Sequence, residues 1–95
     1  MDEFVLVGNL ADETTMEDLC FLFRFCGIIE HAEVRYDEET FISRGFAFVI
    51  FDTPEQAQEA LKFNEFPLHG NPIYIRKAKS LGEGPARGKY DGRDA

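Results

Sequence analysis

At 95 residues, with 44% hydrophobic side chains and ten Phe, the chain can bury one modest core without metal or disulfide staples. No apolar run approaches the roughly 20 residues that a membrane helix needs, and Cys20 and Cys26 have no neighbouring His or second pair to suggest zinc or a disulfide framework. The net charge of −8 is unevenly spread, at −11 over residues 1–69 and +3 over residues 70–95.

Met1-Asp2-Glu3 lacks the basic segment of a secretory signal, so an intracellular protein with reduced thiols is expected. Phe4-Val5-Leu6-Val7 is a short β-prone run broken by Gly8-Asn9. Thr15 is placed to cap a helix beginning Met16-Glu17-Asp18, with Asp18 at the capping-box position. Met16, Leu19, Leu22, Phe23 and Cys26 share one face of that helix, and Gly27 is placed to end it in a left-handed cap. Ile29, Ala32 and Val34 suggest a second strand, and the spacing of three between the first two suggests a bulge.

Asp37 to Ser43 reads as a polar loop, with an apolar tip at Phe41-Ile42 expected to pack locally. Gly45-Phe46-Ala47-Phe48-Val49-Ile50-Phe51 is apolar on both alternating sets, as in a strand buried on both faces or one that turns aromatics outward. Thr53-Pro54-Glu55-Gln56 combines a cap, Pro at the first helical position and Gln at the capping-box position. Ala57, Ala60 and Leu61 give that helix its buried side. Gly70-Asn71-Pro72 is a turn, and Ile73-Tyr74-Ile75-Arg76 alternates as a half-exposed strand.

The order strand, helix, strand, strand, helix, strand predicts an α+β, ferredoxin-like split βαβ sandwich. It has a four-stranded antiparallel sheet with both helices on one face and the other face open. The domain is expected to span residues 1–79. Residues 80–95 hold four of the eight Gly and read as a flexible tail.

Arg44-Gly45-Phe46-Ala47-Phe48-Val49-Ile50-Phe51 is similar to the RNP octamer of the RNA-recognition-motif (RRM) family, and Val5-Leu6-Val7-Gly8-Asn9-Leu10 resembles its companion hexamer. The resemblance extends over residues 4–79, with Leu19, Phe23, Gly27, Ile29, Asp37, Ala57, Ala60, Leu61, Gly70 and Ala78 at supporting positions. It implies a single-stranded RNA-binding module. Alternation along the third strand sends Phe46, Phe48 and Ile50 to one face and Ala47, Val49 and Phe51 to the core. The first set is then an open platform for unstacked bases, and neither Phe46 nor Phe48 counts among the core. Arg44 is placed to meet a phosphate, and Tyr74 and Arg76 project onto the same face. Arg35 adds to it from the second strand, while Lys77 and Lys79 lie where the chain leaves the fourth.

Two features count against strong RNA binding. Leu6 stands where strong RNA binders usually carry an aromatic, so one stacking platform is weakened. Glu33 and Asp37-Glu38-Glu39 repel phosphate. Phe25-Cys26-Gly27 and the segment from Asn64 to Ile75 look most like nuclear poly(A)-binding proteins, which suggests an mRNA-associated role in the nucleus or the cytoplasm, with the nucleus slightly favoured. The competing reading is an RRM turned protein-binding module, with Phe21 and Phe25 forming a patch on the outer side of the first helix for a partner or for self-association. The bland alternative has Phe25 folding back over the strand edge. His31 and His69 are read as a strand-edge and a loop residue. No cofactor, metal or membrane role is expected. Acylphosphatases share the split topology, but neither their phosphate loop nor a nucleophile–base pairing is recognisable, so no enzyme is expected.

Overall fold

The structure is a computed structural model and describes residues 2–79. The Gly-rich segment 80–95, including Arg87, Lys89 and Arg93, lies outside the described residues. The chain runs β1 (Phe4–Gly8), α1 (Met16–Leu22), β2 (Ile29–Tyr36), β3 (Ser43–Phe51) and α2 (Pro54–Ala60). A 3₁₀ turn (Leu61–Phe63), β4 (Pro67–Leu68), β5 (Asn71–Pro72) and β6 (Tyr74–Lys77) follow. Strands β2, β3, β1 and β6 lie in that order in one antiparallel sheet. The expected α+β split βαβ arrangement is present.

Both helices begin where their sequence signals place them. Thr15 accepts from the Asp18 amide and Asp18 returns a bond from the Thr15 amide, closing a capping box. Thr53 accepts from the Gln56 amide ahead of Pro54 at the first turn. Asp18 also meets His69 Nε2 at 2.9 Å, tying α1 to the β4–β5 hairpin. The hairpin itself reverses at His69 and Gly70, both at positive φ, where Gly70-Asn71-Pro72 alone reads as a bare turn.

The helical side of the sheet holds the main core of Val5, Val7, Leu10, Leu19, Phe23, Ala47, Val49, Phe51, Ala57, Ala60, Ile73 and Ile75. Phe23 makes edge-to-face contacts with Phe51 and Phe63, each with ring centroids 5.8 Å apart. These rings join the end of α1 to β3 and to the 3₁₀ turn. Cys20 and Cys26 are free and half-buried, and burial pushes the Cys26 thiol up from its usual range.

Helix α1 stops at Leu22, a turn earlier than expected, and Phe23 closes it with φ −95°. Gly27 therefore does not cap the helix. Its φ of +157° and its closeness to α2 explain the residue instead. A Cβ there would lie 2.2 Å from Gln56 Cδ and 2.6 Å from Gln56 Cβ, too close for the side chain to escape by rotating its tip. Gln56 Oε1 accepts from the amides of Ile28 and Asp52, each at 3.2 Å, and so fastens the start of β2 to the end of β3. Gly27→Ala should displace Gln56 and destabilise the domain by about 1–3 kcal/mol, the usual range for overpacking. Denaturant unfolding of the two chains, with unchanged slope and a lowered midpoint, checks this.

Candidate nucleic-acid interface

The sheet's two faces are sorted by its register. Leu6 pairs with Phe48 and Arg76, and Gly8 pairs with Phe46 and Tyr74. Directly opposed residues of a ladder project to the same side. Leu6, Phe46, Phe48, Tyr74 and Arg76 thus share the face turned away from the helices, as expected. On β2, Glu33 pairs with Phe48 and His31 with Ile50, which adds His31, Glu33 and Arg35 to that face. Lys77 pairs with Val5, a core residue, so the register turns it to the helical side at the sheet's edge. Lys79 is exposed just beyond the strand.

Two irregularities aim these side chains. Ile29 and His31 pair with the adjacent Phe51 and Ile50, so the extra residue Glu30 makes the bulge that the spacing suggests. Between the Val34–Ala47 and Tyr36–Ser43 pairs, β3 carries two more residues than β2, and Gly45 takes φ 81° there. A side chain at that conformation would be strained, which accounts for Gly in the octamer. The bulge brings Arg44 back over the face, with its guanidinium 5.1 Å from the centre of the Phe46 ring.

The expectation of an open platform is not met. Leu6, Phe46 and Phe48 are only 1%, 2% and 1% exposed, and with Ala78 they form a second apolar cluster against which Phe4 packs. Phe46 and Phe48 meet edge to face, 5.9 Å apart and 82° between planes. The octamer's outward rings belong to a core of their own. Leu6 packs beside them as an aliphatic filler where a flat ring would need more room.

The charges are also more engaged than their types suggest. Arg35 is paired with Glu33 Oε2 through its Nη1, and His31 Nε2 lies 3.3 Å from the other oxygen of Glu33. Arg76 Nη1 donates to the Lys77 carbonyl at 3.1 Å. The bond to His31, reinforced by the Arg35 charge, holds the Glu33 carboxyl below the usual carboxylate range. At neutral pH the middle of β2 therefore presents an ionised carboxylate between the His31 imidazole and the Arg35 guanidinium. Asp37 is held low by the Thr40 and Glu39 amides, so it serves the β2–β3 turn. Phe41 takes a left-handed φ of 60° in that turn, and both Phe41 and Ile42 are exposed rather than packed locally. Periodicity gave no signal for the Glu33 pairing or the exposed Phe41.

On the opposite side, Phe21 and Phe25 are 66% and 88% exposed. Phe25 does not fold back over the strand edge. Arg24 lies between the two rings, 3.8 Å from the Phe21 centroid and 4.5 Å from that of Phe25. Ile28, a few residues further along the chain, is exposed as well. Among the described residues, no group of His, Cys, Asp or Glu could hold a metal ion, and no helix is long and apolar enough to cross a membrane.

The burial of Phe48 sets a stability test. Phe48→Ala should cost about 3–5 kcal/mol, the range for removing a buried Phe, where a ring lying open on the sheet would cost far less. Thermal or denaturant unfolding distinguishes the two.

The RNA recognition motif family model matches residues 5–74. The chain is 39% identical over 87 residues to the 31 kDa chloroplastic ribonucleoprotein of Nicotiana sylvestris, covering 90% of this chain and 28% of that one. The chain thus spans less than a third of that relative's length. The crystal structure of RNA binding protein PG1 superposes with a TM-score of 0.79 at 30% identity, covering 85% of this chain and 99% of that one. The Sxl-lethal protein/RNA complex superposes with a TM-score of 0.75 at 32% identity, covering 81% of this chain and 48% of that one. With the octamer on β3, the hexamer on β1 and the split βαβ sheet all in place, the chain belongs to the RNA recognition motif family.

Proposed function

We propose that the chain is a single-stranded RNA-binding module that takes bases on the sheet face bearing Phe46 and Phe48. The observation that carries this reading is their placement on one face, together with Tyr74, Arg76 and an Arg44 aimed across Phe46. Family membership and the likeness to a protein solved in a complex with RNA support it. Arg44, Arg76 and Lys79 supply positive charge around the rings, with Arg35 shared between Glu33 and any phosphate. Leu6 gives one base an aliphatic contact instead of a stack.

Stacking needs the Phe faces uncovered, so RNA must displace the contacts that bury them here. The intrinsic affinity is then reduced by the fraction of molecules in which the face is clear. A preference for poly(A), and with it a nuclear mRNA role, is the finer reading suggested by Phe25 to Gly27 and Asn64 to Ile75. Those segments mostly build the fold: Asn64 Oδ1 accepts from the Ile75 amide, and Pro67 to Pro72 form the small hairpin. Of them only Tyr74 projects onto the face, so base preference has to come from elsewhere on the sheet.

Because Ala at these positions would empty a core, the affinity test uses leucine. Phe46→Leu with Phe48→Leu keeps apolar volume but removes both flat rings. The folded double variant should lose roughly 2–5 kcal/mol of RNA affinity, from about 1–3 kcal/mol per stacked base with some coupling. Unchanged affinity in a titration with short single-stranded RNAs would remove the reading.

A second function is favoured by the exposure of Phe21 and Phe25, which leaves two aromatic rings in water around Arg24. This surface lies away from the sheet face and suits a protein partner or self-association through the first helix. Phe21→Glu with Phe25→Ser should abolish such association and leave RNA affinity unchanged. Sedimentation of both chains at high concentration, with a pulldown, checks it.

A further inference from the structure

On the RNA face, Glu33 sits directly across from Phe48 in the β2–β3 ladder. We infer that Glu33 reads the edge of the base stacked on Phe48 and selects guanine there, an inference that rests on the RNA-binding reading above.

Adjacent strands are about 4.8 Å apart, so a base lying over the Phe48 ring reaches over a neighbouring strand. Toward β1 its edge meets Leu6, which offers no hydrogen bond. Toward β2 it meets the Glu33 carboxylate. An ionised carboxylate accepts only, and its two oxygens have about four lone-pair positions. His31 and Arg35 take one position on each oxygen, and the half-exposed carboxylate keeps the others for a ligand. The same two neighbours fix its direction, because they lie two residues to either side on the same face.

Guanine alone among the four bases presents two adjacent donors, N1–H and the N2 amino group, to match the two oxygens. Cytosine and adenine offer one amino group beside a ring acceptor. Uracil offers N3–H flanked by two carbonyl oxygens that the carboxylate repels. The expected order is guanine first, then cytosine and adenine, and uracil last. A mere surface ion triad would hold Glu33 in the same place but would give no order among bases.

The test uses the full chain and three seven-nucleotide RNAs: all uridine, uridine with a central guanosine, and uridine with a central inosine, which lacks the N2 amino group. Fluorescence anisotropy should show the guanosine RNA binding roughly tenfold or more tighter than all-uridine, in line with a bidentate base contact. Inosine should fall between them. Glu33→Gln should bring the guanosine-to-uridine ratio to within about threefold, since a single neutral acceptor remains. The all-uridine RNA should bind Glu33→Gln somewhat more tightly as repulsion of its phosphates is relieved. RNA binding with no guanosine preference, or a preference that survives both Glu33→Gln and Glu33→Ala, overturns this inference alone. Failure of the wild-type chain to bind any of the RNAs overturns the sheet-face reading together with it.

Discussion

Strand β3 has to be apolar on both sides, and the rest of the molecule is arranged around that constraint. Ala47, Val49 and Phe51 require a helical layer, which α1 and α2 provide. Phe46 and Phe48 require cover on the other side, and in this structure they have it. A four-stranded sheet with helices on one face ordinarily turns its second face to water. Here that face carries a small core in its own right, so folding draws on the same two rings that the proposed RNA binding needs. Any ligand that stacks on them replaces apolar contacts already made, and only the difference between the two sets of contacts appears as affinity.

The local signals in the sequence were nearly all legible. Thr15 with Asp18 and Thr53 with Pro54 start their helices because caps act within one turn of chain. The three-residue spacing from Ile29 to Ala32 suggested its bulge because period-two alternation puts an odd spacing on opposite faces unless a residue is extra. The two RNP segments predicted the central strands and which face each ring would take. What escaped was non-local. Gly27 looked like a helix cap, but its reason is Gln56, which stands 29 residues away in sequence. The platform looked open because alternation reports which side a ring faces and says nothing of what lies above it.

Charge shows the same division between local and non-local information. The cations of the face were found by type and alternation, yet Arg35 is shared with Glu33 and Lys77 is turned to the other side. Counting basic residues near a sheet therefore overstates the positive charge a nucleic acid would meet. The acidity that looked like an obstacle to RNA has, at Glu33, a fixed place and two fixed neighbours. Carboxylates so held repel a phosphate but accept from the N–H donors of a base edge. The same group can weaken binding in general while making it more selective.

Gln56 ties helix α2 to the corner where β2 and β3 meet. Its oxygen accepts from the Ile28 amide, whereas the Asp52 amide is also bonded to the Ile28 carbonyl at 2.9 Å. Undocking α2 alone would strip protection from the first amide and leave the second in place until β2 and β3 part. Hydrogen exchange at these two amides would thus report separately on opening of the helical layer and on opening of the sheet.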